Sequence, residues 1–171
     1  DGSMYMLDCV KEGLMKTVFR YAPIALKEPG HYEARANLMW ASSWAINGFT
    51  GALQNCEWSC HPMKHELSAV YDITHGLGLA ILTPRWMRYI LDEQTAERFY
   101  QYGVNVLGLD RNLPKMEAAE KSIERTEEFL YKTLGLPSTL GELGIDDSSF
   151  AQMARKACRG DVLSGFKPLR Q

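Results

Sequence analysis

The chain has 171 residues, of which 46% are hydrophobic and 23% are charged, a composition typical of an ordinary globular domain. This length is enough for one well-filled core and too short for two large domains. The chain has a formal net charge of −2 and a pI near 6.1. It is therefore slightly acidic, whereas a nucleic-acid-binding protein carries a basic surface. We therefore expect no nucleic-acid partner.

No segment of the sequence predicts membrane insertion. The longest apolar stretch lies around residues 77–82, far short of the roughly 20 residues that a membrane-spanning helix needs. Lysine and arginine are scattered singly, without the basic cluster that binds an anionic membrane surface. Asp1 and Asp8 stand where a signal peptide would carry basic and apolar residues. We therefore expect a cytoplasmic protein with no membrane partner.

Apolar residues recur at steps of three and four along most of the chain, which is the spacing of a helix face. The second predicted helix is apolar on most sides, so we expect it to be central in the fold. No segment alternates as a half-buried strand does. The predicted helices cover about residues 5–21 with a kinked continuation past Pro23, then 32–48, 62–72, 75–90, 92–106, 114–134 and 148–158.

Capping residues and breaks support these boundaries. Pro62 suits a first helical turn capped by His61 or Cys60, and Asp146 or Asp147 suits the N-cap of the last helix. Thr74 suits the N-cap of the helix that follows residue 72. The sequence thus predicts a single all-α domain over residues 1–171, with about seven helices.

Three of the four histidines fall within residues 58–76. His61 and His65 are four residues apart and share one helix face. His75 follows a short break, after which it can fold back toward the first turn. Imidazole is the commonest metal ligand and suits Zn²⁺ or Fe²⁺. The pattern indicates a metal site, while satisfied core histidines at a helix junction remain the simpler alternative.

The four cysteines are too few for a disulfide framework and are expected to be free thiols. Two of them, Cys56 and Cys60, lie just before His61. A competing hypothesis is therefore a structural zinc site formed by Cys56, Cys60 and His61, with or without His65.

Residues 58–80, which hold the histidine cluster, resemble the second metal motif of the iron-containing alcohol dehydrogenases. Within that family they are most similar to the butanol-dehydrogenase-like branch. Residues 32–41, together with residues 47–48, are similar to the central helix of the family, and residues 136–140 and 165–169 resemble its C-terminal stretch. The resemblance covers essentially the whole chain, and the spacing of the three histidines is specific in this setting.

This resemblance implies both a fold and a site. Members of this dehydroquinate-synthase-like family join an N-terminal nucleotide-binding domain to a C-terminal all-helical domain, and the metal lies in the cleft between them. It implies that His61 and His75 are metal ligands. It also implies that His65 is the catalytic and cofactor-binding residue that lies near the nicotinamide and relays a proton. The resemblance does not decide between iron and zinc or between NAD and NADP. It also leaves open the chain length of the substrate and the oligomeric state, for which a homodimer is one candidate.

The chain departs from the family in what it lacks. The other two ligands of the family lie in a D-x-x-x-H motif, but His31, the remaining histidine here, has Lys27 four residues before it. The sequence also lacks a glycine-rich phosphate-binding turn and the final helix of the family. We therefore expect a helical fragment of a larger enzyme, without its N-terminal nucleotide-binding domain, that binds metal weakly or not at all and is inactive alone.

For the complete enzyme, the resemblance implies that NAD(P)H and a divalent metal interconvert aldehydes and primary alcohols. Trp58, Leu67 and Leu79 flank the motif and are candidates for the alcohol pocket, with ordinary core packing as the alternative. The alternative function is a stand-alone helical metal-binding or interaction module without dehydrogenase activity.

Overall fold

A computed structural model describes residues 4–50, 58–159, 162–163 and 165–170 of the chain. Most of the described residues are helical and only two short strands are present among them, which confirms the predicted all-α class. The seven α-helices of this part of the chain are α1 (Tyr5–Lys27), α2 (Tyr32–Ile46), α3 (Cys60–Tyr71), α4 (His75–Ile90), α5 (Ala96–Asn105), α6 (Lys115–Glu127) and α7 (Phe150–Ala157).

Four short elements complete the described structure. A π-helical segment, Glu128–Thr133, directly follows α6, and a 3-10 turn covers Gly141–Leu143. The strands β1 (Val162–Leu163) and β2 (Leu169–Arg170) pair in antiparallel register, with Leu163 opposite Leu169. Two-residue strands are too short to show the alternation from which a strand is predicted, so the sequence did not indicate this hairpin.

Backbone contacts divide the structure into two compact units. One contains α1, α2, α5, α6 and the π-helical segment, and the other contains α3, α4, α7 and the hairpin. The single domain over residues 1–171 therefore stays a prediction. No described helix is long and apolar enough to cross a membrane.

In the first unit, α2 packs on α1 and α5 packs on α6. The prediction that α2 is central is wrong for the described structure, because Ala34 and Ala41 are the buried residues of that helix. Helix α1 packs on α2, but four large apolar side chains of α2 stay exposed, namely Tyr32, Met39, Trp40 and Ile46. Helix α1 continues through Pro23, and Phe19 on it contacts Phe129 at a ring-centroid distance of 4.2 Å.

The second unit is built on α3, which packs against both α4 and α7. Ile81, Pro84 and Ile90 are fully buried on α4, so this helix presents its apolar stripe to the core.

Two predicted caps are wrong. Ser59 occupies the N-cap of α3, where the sequence favoured His61 or Cys60. Ser149 occupies the N-cap of α7, and Asp146 accepts a hydrogen bond from the Ser148 amide in the preceding turn.

Candidate metal centre

The candidate site is built on the turn between α3 and α4. Asp72 has the left-handed backbone conformation, with φ 53° and ψ 32°, and its amide donates to the carbonyl oxygen of Ser68. The Ser68 hydroxyl in turn donates to the carbonyl oxygen of Ile73. Only a few residues separate the two helices, so the chain reverses sharply. His75, the first residue of α4, consequently lies beside the first turns of α3.

This reversal brings together the three histidines that the sequence singled out. The ring centroids of His61 and His75 are 5.2 Å apart. Those of His65 and His75 are 5.8 Å apart, and those of His61 and His65 are 6.2 Å apart. Two imidazoles that bind one ion through nitrogens at about 2 Å have centroids about 5 Å apart. The pair His61 and His75 therefore has the spacing that best fits a shared ion.

The surroundings favour the neutral form of this pair. Desolvation lowers the pKa of His61, and the charges of His75, His65 and Lys64 lower it further. Desolvation also lowers the pKa of His75, with further contributions from Lys64 and His65. A metal binds the unprotonated nitrogen of imidazole. At neutral pH both rings are therefore in the form that can act as a ligand.

The three candidate pocket residues differ in their environments. The Trp58 ring stands edge-on to the His61 ring, with centroids 4.3 Å apart and planes at 89°, and Trp58 is 52% exposed. Leu67 is 4% exposed and lines an apolar cavity with Met153 of α7, so it behaves as a core residue. Leu79 is half-buried. Trp58 is thus the candidate in contact with the histidine cluster.

Lys64 belongs to this site but was missed by the sequence analysis. It lies between His61 and His65 on α3 and is only 5% exposed, which is rare for a lysine. Its charge reaches both His61 and His75, as their pKa shifts show. A lysine on an amphipathic helix is ordinarily placed in solvent, so residue type alone gave no signal. The signal that could have found it is Gly78, a residue without a side chain on the facing helix.

The competing cysteine site finds little support. Cys60 is buried, and burial raises the pKa of its thiol to about 11. Zinc binds the thiolate form, which this environment disfavours. Cys56 lies outside the described residues. Across the described part of the chain, no three His, Cys, Asp or Glu side chains are arranged to hold a metal ion. His61, His65 and His75, although close together, therefore do not form such a group by themselves.

His31 has a separate role, which could not be read from the missing D-x-x-x-H motif. It occupies the N-cap of α2, where its Nδ1 accepts a hydrogen bond from the Ala34 amide at 3.2 Å. This bond satisfies one of the free amides at the start of the helix.

Residues 2–169 match the sequence profile of the Fe-containing alcohol dehydrogenase family, C-terminal. The chain is 48% identical over 167 residues to NADH-dependent butanol dehydrogenase A of Clostridium acetobutylicum, covering 96% of this chain and 43% of that protein. It is 34% identical over 149 residues to the NADPH-dependent aldehyde reductase YqhD of Escherichia coli, covering 87% of this chain and 38% of that protein.

Solved structures give the same result for the fold. The crystal structure of Escherichia coli YqhD superposes with a TM-score of 0.84 at 32% identity, covering 92% of this chain and 40% of that chain. NADH-dependent butanol dehydrogenase A of Thermotoga maritima gives a TM-score of 0.81 at 33% identity, covering 90% of this chain and 38% of that chain. The chain thus spans about two fifths of the length of these relatives.

Proposed function

Because the chain belongs to the Fe-containing alcohol dehydrogenase family, we propose that it is the helical, metal-holding part of an NAD(P)H-dependent alcohol dehydrogenase. The complete enzyme interconverts aldehydes and primary alcohols. The observation that carries this proposal is the 5.2 Å spacing of the His61 and His75 rings across the α3–α4 turn. The names of the relatives, which include NADH-dependent and NADPH-dependent enzymes, support the reaction class.

In this proposal His61 and His75 hold a divalent iron or zinc ion. Their lowered pKa values and their spacing fit that role. Such an ion, when bound, polarises the alcohol or carbonyl oxygen of the substrate. Trp58 packs edge-on against His61 and keeps that ring from turning away. The remaining ligands come from the preceding, nucleotide-binding part of the enzyme.

His65 carries the proton in this proposal. It is exposed, so it can exchange protons with water, and its ring lies 5.8 Å from that of His75. An imidazole at this position can pass a proton between water and the substrate oxygen and can contact the nicotinamide. NADH or NADPH is bound mainly by the nucleotide-binding part, because residues 1–171 contain no glycine-rich phosphate-binding turn.

Metal binding by the 171-residue chain tests the site. Zn²⁺ affinity is measured by competition with a chromophoric chelator for the wild type and for His61→Ala, His75→Ala and His65→Ala. We expect weak binding that falls at least about 10-fold in the first two variants and less in the third. His31→Asn is the matched control, because asparagine also caps helices well. Wild-type affinity in His61→Ala or His75→Ala would overturn the assignment.

A chimera tests the reaction. The chain replaces the matched part of the Clostridium acetobutylicum butanol dehydrogenase A, and NADH-dependent reduction of butyraldehyde is measured. We expect activity in the chimera and none in the isolated chain. His65→Ala should lower kcat and change the pH profile while metal content is retained, whereas His61→Ala should lose metal and activity together. Enzyme-like rates in the isolated chain would contradict the proposal.

The stand-alone module remains the alternative function, and the same titrations distinguish it. A module would bind zinc tightly and with one-to-one stoichiometry, and Cys60→Ser would abolish that binding while His75→Ala would not. The raised pKa of the buried Cys60 thiol favours the opposite result.

A further inference from the structure

Lys64 and Gly78 meet between the two helices that carry the histidines. A Cβ atom added at Gly78 would lie 2.9 Å from Cγ and 3.7 Å from Cε of Lys64, and 3.2 Å from Cδ1 of Ile73. The lysine stem therefore lies directly against the backbone of α4. Among the described residues, no carboxylate forms an ion pair with Lys64, although the residue is buried.

Gly78 is present for space rather than for backbone conformation. It lies within α4 without the positive φ that favours glycine elsewhere in this chain, such as at Gly135. Glycine inside a helix is otherwise unfavourable relative to alanine. The close approach of the Lys64 stem is what a larger residue at position 78 would prevent.

The contact is placed symmetrically with respect to the candidate ligands. Lys64 follows His61 by three residues, and Gly78 follows His75 by three residues. Residues three apart in a helix lie on adjacent turns of the same face. Each partner is thus about one turn from one of the two imidazoles, and a change in the gap between the helices here is transmitted directly to the imidazole pair.

We propose that Lys64 and Gly78 are positioning residues, and that the lysine stem seated on the glycine sets the spacing of the His61 and His75 rings. The role belongs to the methylene stem. This positioning role rests on the proposed function, in which His61 and His75 bind a metal. The spacing of the two rings can nevertheless be measured without metal. Displacing groups that orient metal ligands typically costs 10–100-fold in affinity.

The test uses the metal-free 171-residue chain and two readouts. The first is the nuclear Overhauser effect between the ring protons of His61 and His75, and the second is Zn²⁺ affinity. We expect Gly78→Ala to weaken both, with zinc affinity falling about 10-fold. Gly76→Ala is the matched control, because nothing lies within 4 Å of a Cβ there. It should leave both readouts unchanged.

Substitutions at position 64 separate the positioning role from simple destabilisation. Lys64→Ala combined with Gly78→Ala vacates the space that the new methyl group needs, so both readouts should recover. Lys64→Met keeps the stem and removes the charge, so the ring contact should persist. Lys64→Ala alone leaves a gap and should weaken zinc binding, which keeps the proposal testable if Gly78→Ala does not fold.

The proposal is wrong if Gly78→Ala retains the ring contact, or if the folded double variant fails to recover it. It is also wrong if Lys64→Met loses the ring contact as completely as Lys64→Ala does. A wild type that binds no zinc but shows the expected changes in ring contact would support the positioning role, and the proposed function is then tested by the chimera. Zinc binding that depends on His61 and His75 but is indifferent to Gly78→Ala would overturn the positioning role and support the proposed function.

Discussion

The hydroxyl of Ser68 donates a 2.7 Å hydrogen bond to the carbonyl oxygen of Ile73, across the turn that joins α3 to α4. The same turn contains Asp72 in the left-handed conformation, whose amide donates to the Ser68 carbonyl. Ser68 therefore secures both sides of the reversal that brings His75 back to His61. This turn, rather than the shared face of His61 and His65, creates the candidate pair.

Ser68→Ala should loosen this turn. Loss of the hydrogen bond should lower the free energy of unfolding by about 1 kcal/mol and weaken Zn²⁺ binding, as judged by urea unfolding and chelator competition. Ser43→Ala is the matched control, because the Ser43 hydroxyl bonds to the Met39 carbonyl within α2. The control should leave zinc affinity unchanged. Equal zinc affinities in Ser68→Ala and the wild type would argue against this role for the turn.

Gly103→Ala should destabilise the packing of α5 on α6. A Cβ there would lie 2.8 Å from Cδ1 of Leu109 and 3.1 Å from Cβ of Ser122, and overpacking of this kind costs about 1–3 kcal/mol. Gly13→Ala on α1 meets nothing within 4 Å, so it should instead stabilise the protein by about 0.5–1 kcal/mol. Urea unfolding of both variants measures the difference, and effects of the same sign would refute the packing argument.

Cys60 and Cys9 should differ in reactivity toward iodoacetamide. Cys60 is buried with a pKa raised to about 11, whereas Cys9 is exposed. Because the thiolate is the nucleophile, Cys9 should be alkylated at pH 8 while Cys60 reacts only after unfolding in urea. Peptide mass spectrometry at successive times checks this. Rapid labelling of Cys60 in the folded chain would contradict its burial.

The raised pKa of Cys60 also predicts how stability changes with pH. The folded state holds the thiol proton more tightly than the unfolded state does, so this contribution is complete below about pH 9 and is lost as pH rises toward 11. The unfolding free energy of wild type relative to Cys60→Ala should therefore decrease over that window. A difference that stays constant from pH 8 to pH 11 would exclude the effect.

The carboxyl group of Glu142 should make stability depend on pH with the opposite sign, in the acidic range. Hydrogen bonds from the hydroxyls of Ser138 and Thr139 lower the pKa of its carboxyl group. Its contribution to stability is present above the ordinary value of 4.5 and is lost as pH falls through the lower folded-state value. Urea unfolding at pH 7, 4.5 and 3 should show the advantage over Glu142→Gln shrinking as the pH falls, and an equal advantage at all three pH values would contradict this role for the hydrogen bonds.

The helices and the histidine cluster could be predicted because their signals are local. Three- and four-residue apolar spacing identified the helices, and the break before His75 indicated that this residue folds back. The burial of α2 could not be predicted in this way. An apolar helix surface does not reveal whether a neighbour covers it, and Trp40 is 66% exposed here.

The spacing of the histidines in the sequence cannot predict which two of the three rings lie closest together. His61 and His65 share a face, yet the three-dimensional turn places His75 closer to His61 than His65 is. The buried position of Lys64 was likewise beyond reach, because it depends on the facing Gly78. Both features arise from contacts between helices, which the period of one helix cannot specify.

The close contact between the Lys64 stem and Gly78 has a consequence for evolution. Long side chains at both positions cannot occupy the same gap, so the two sites should co-vary across an alignment of related proteins. Where position 78 gains a methyl or larger group, position 64 should carry alanine or glycine, and the histidines should be retained throughout.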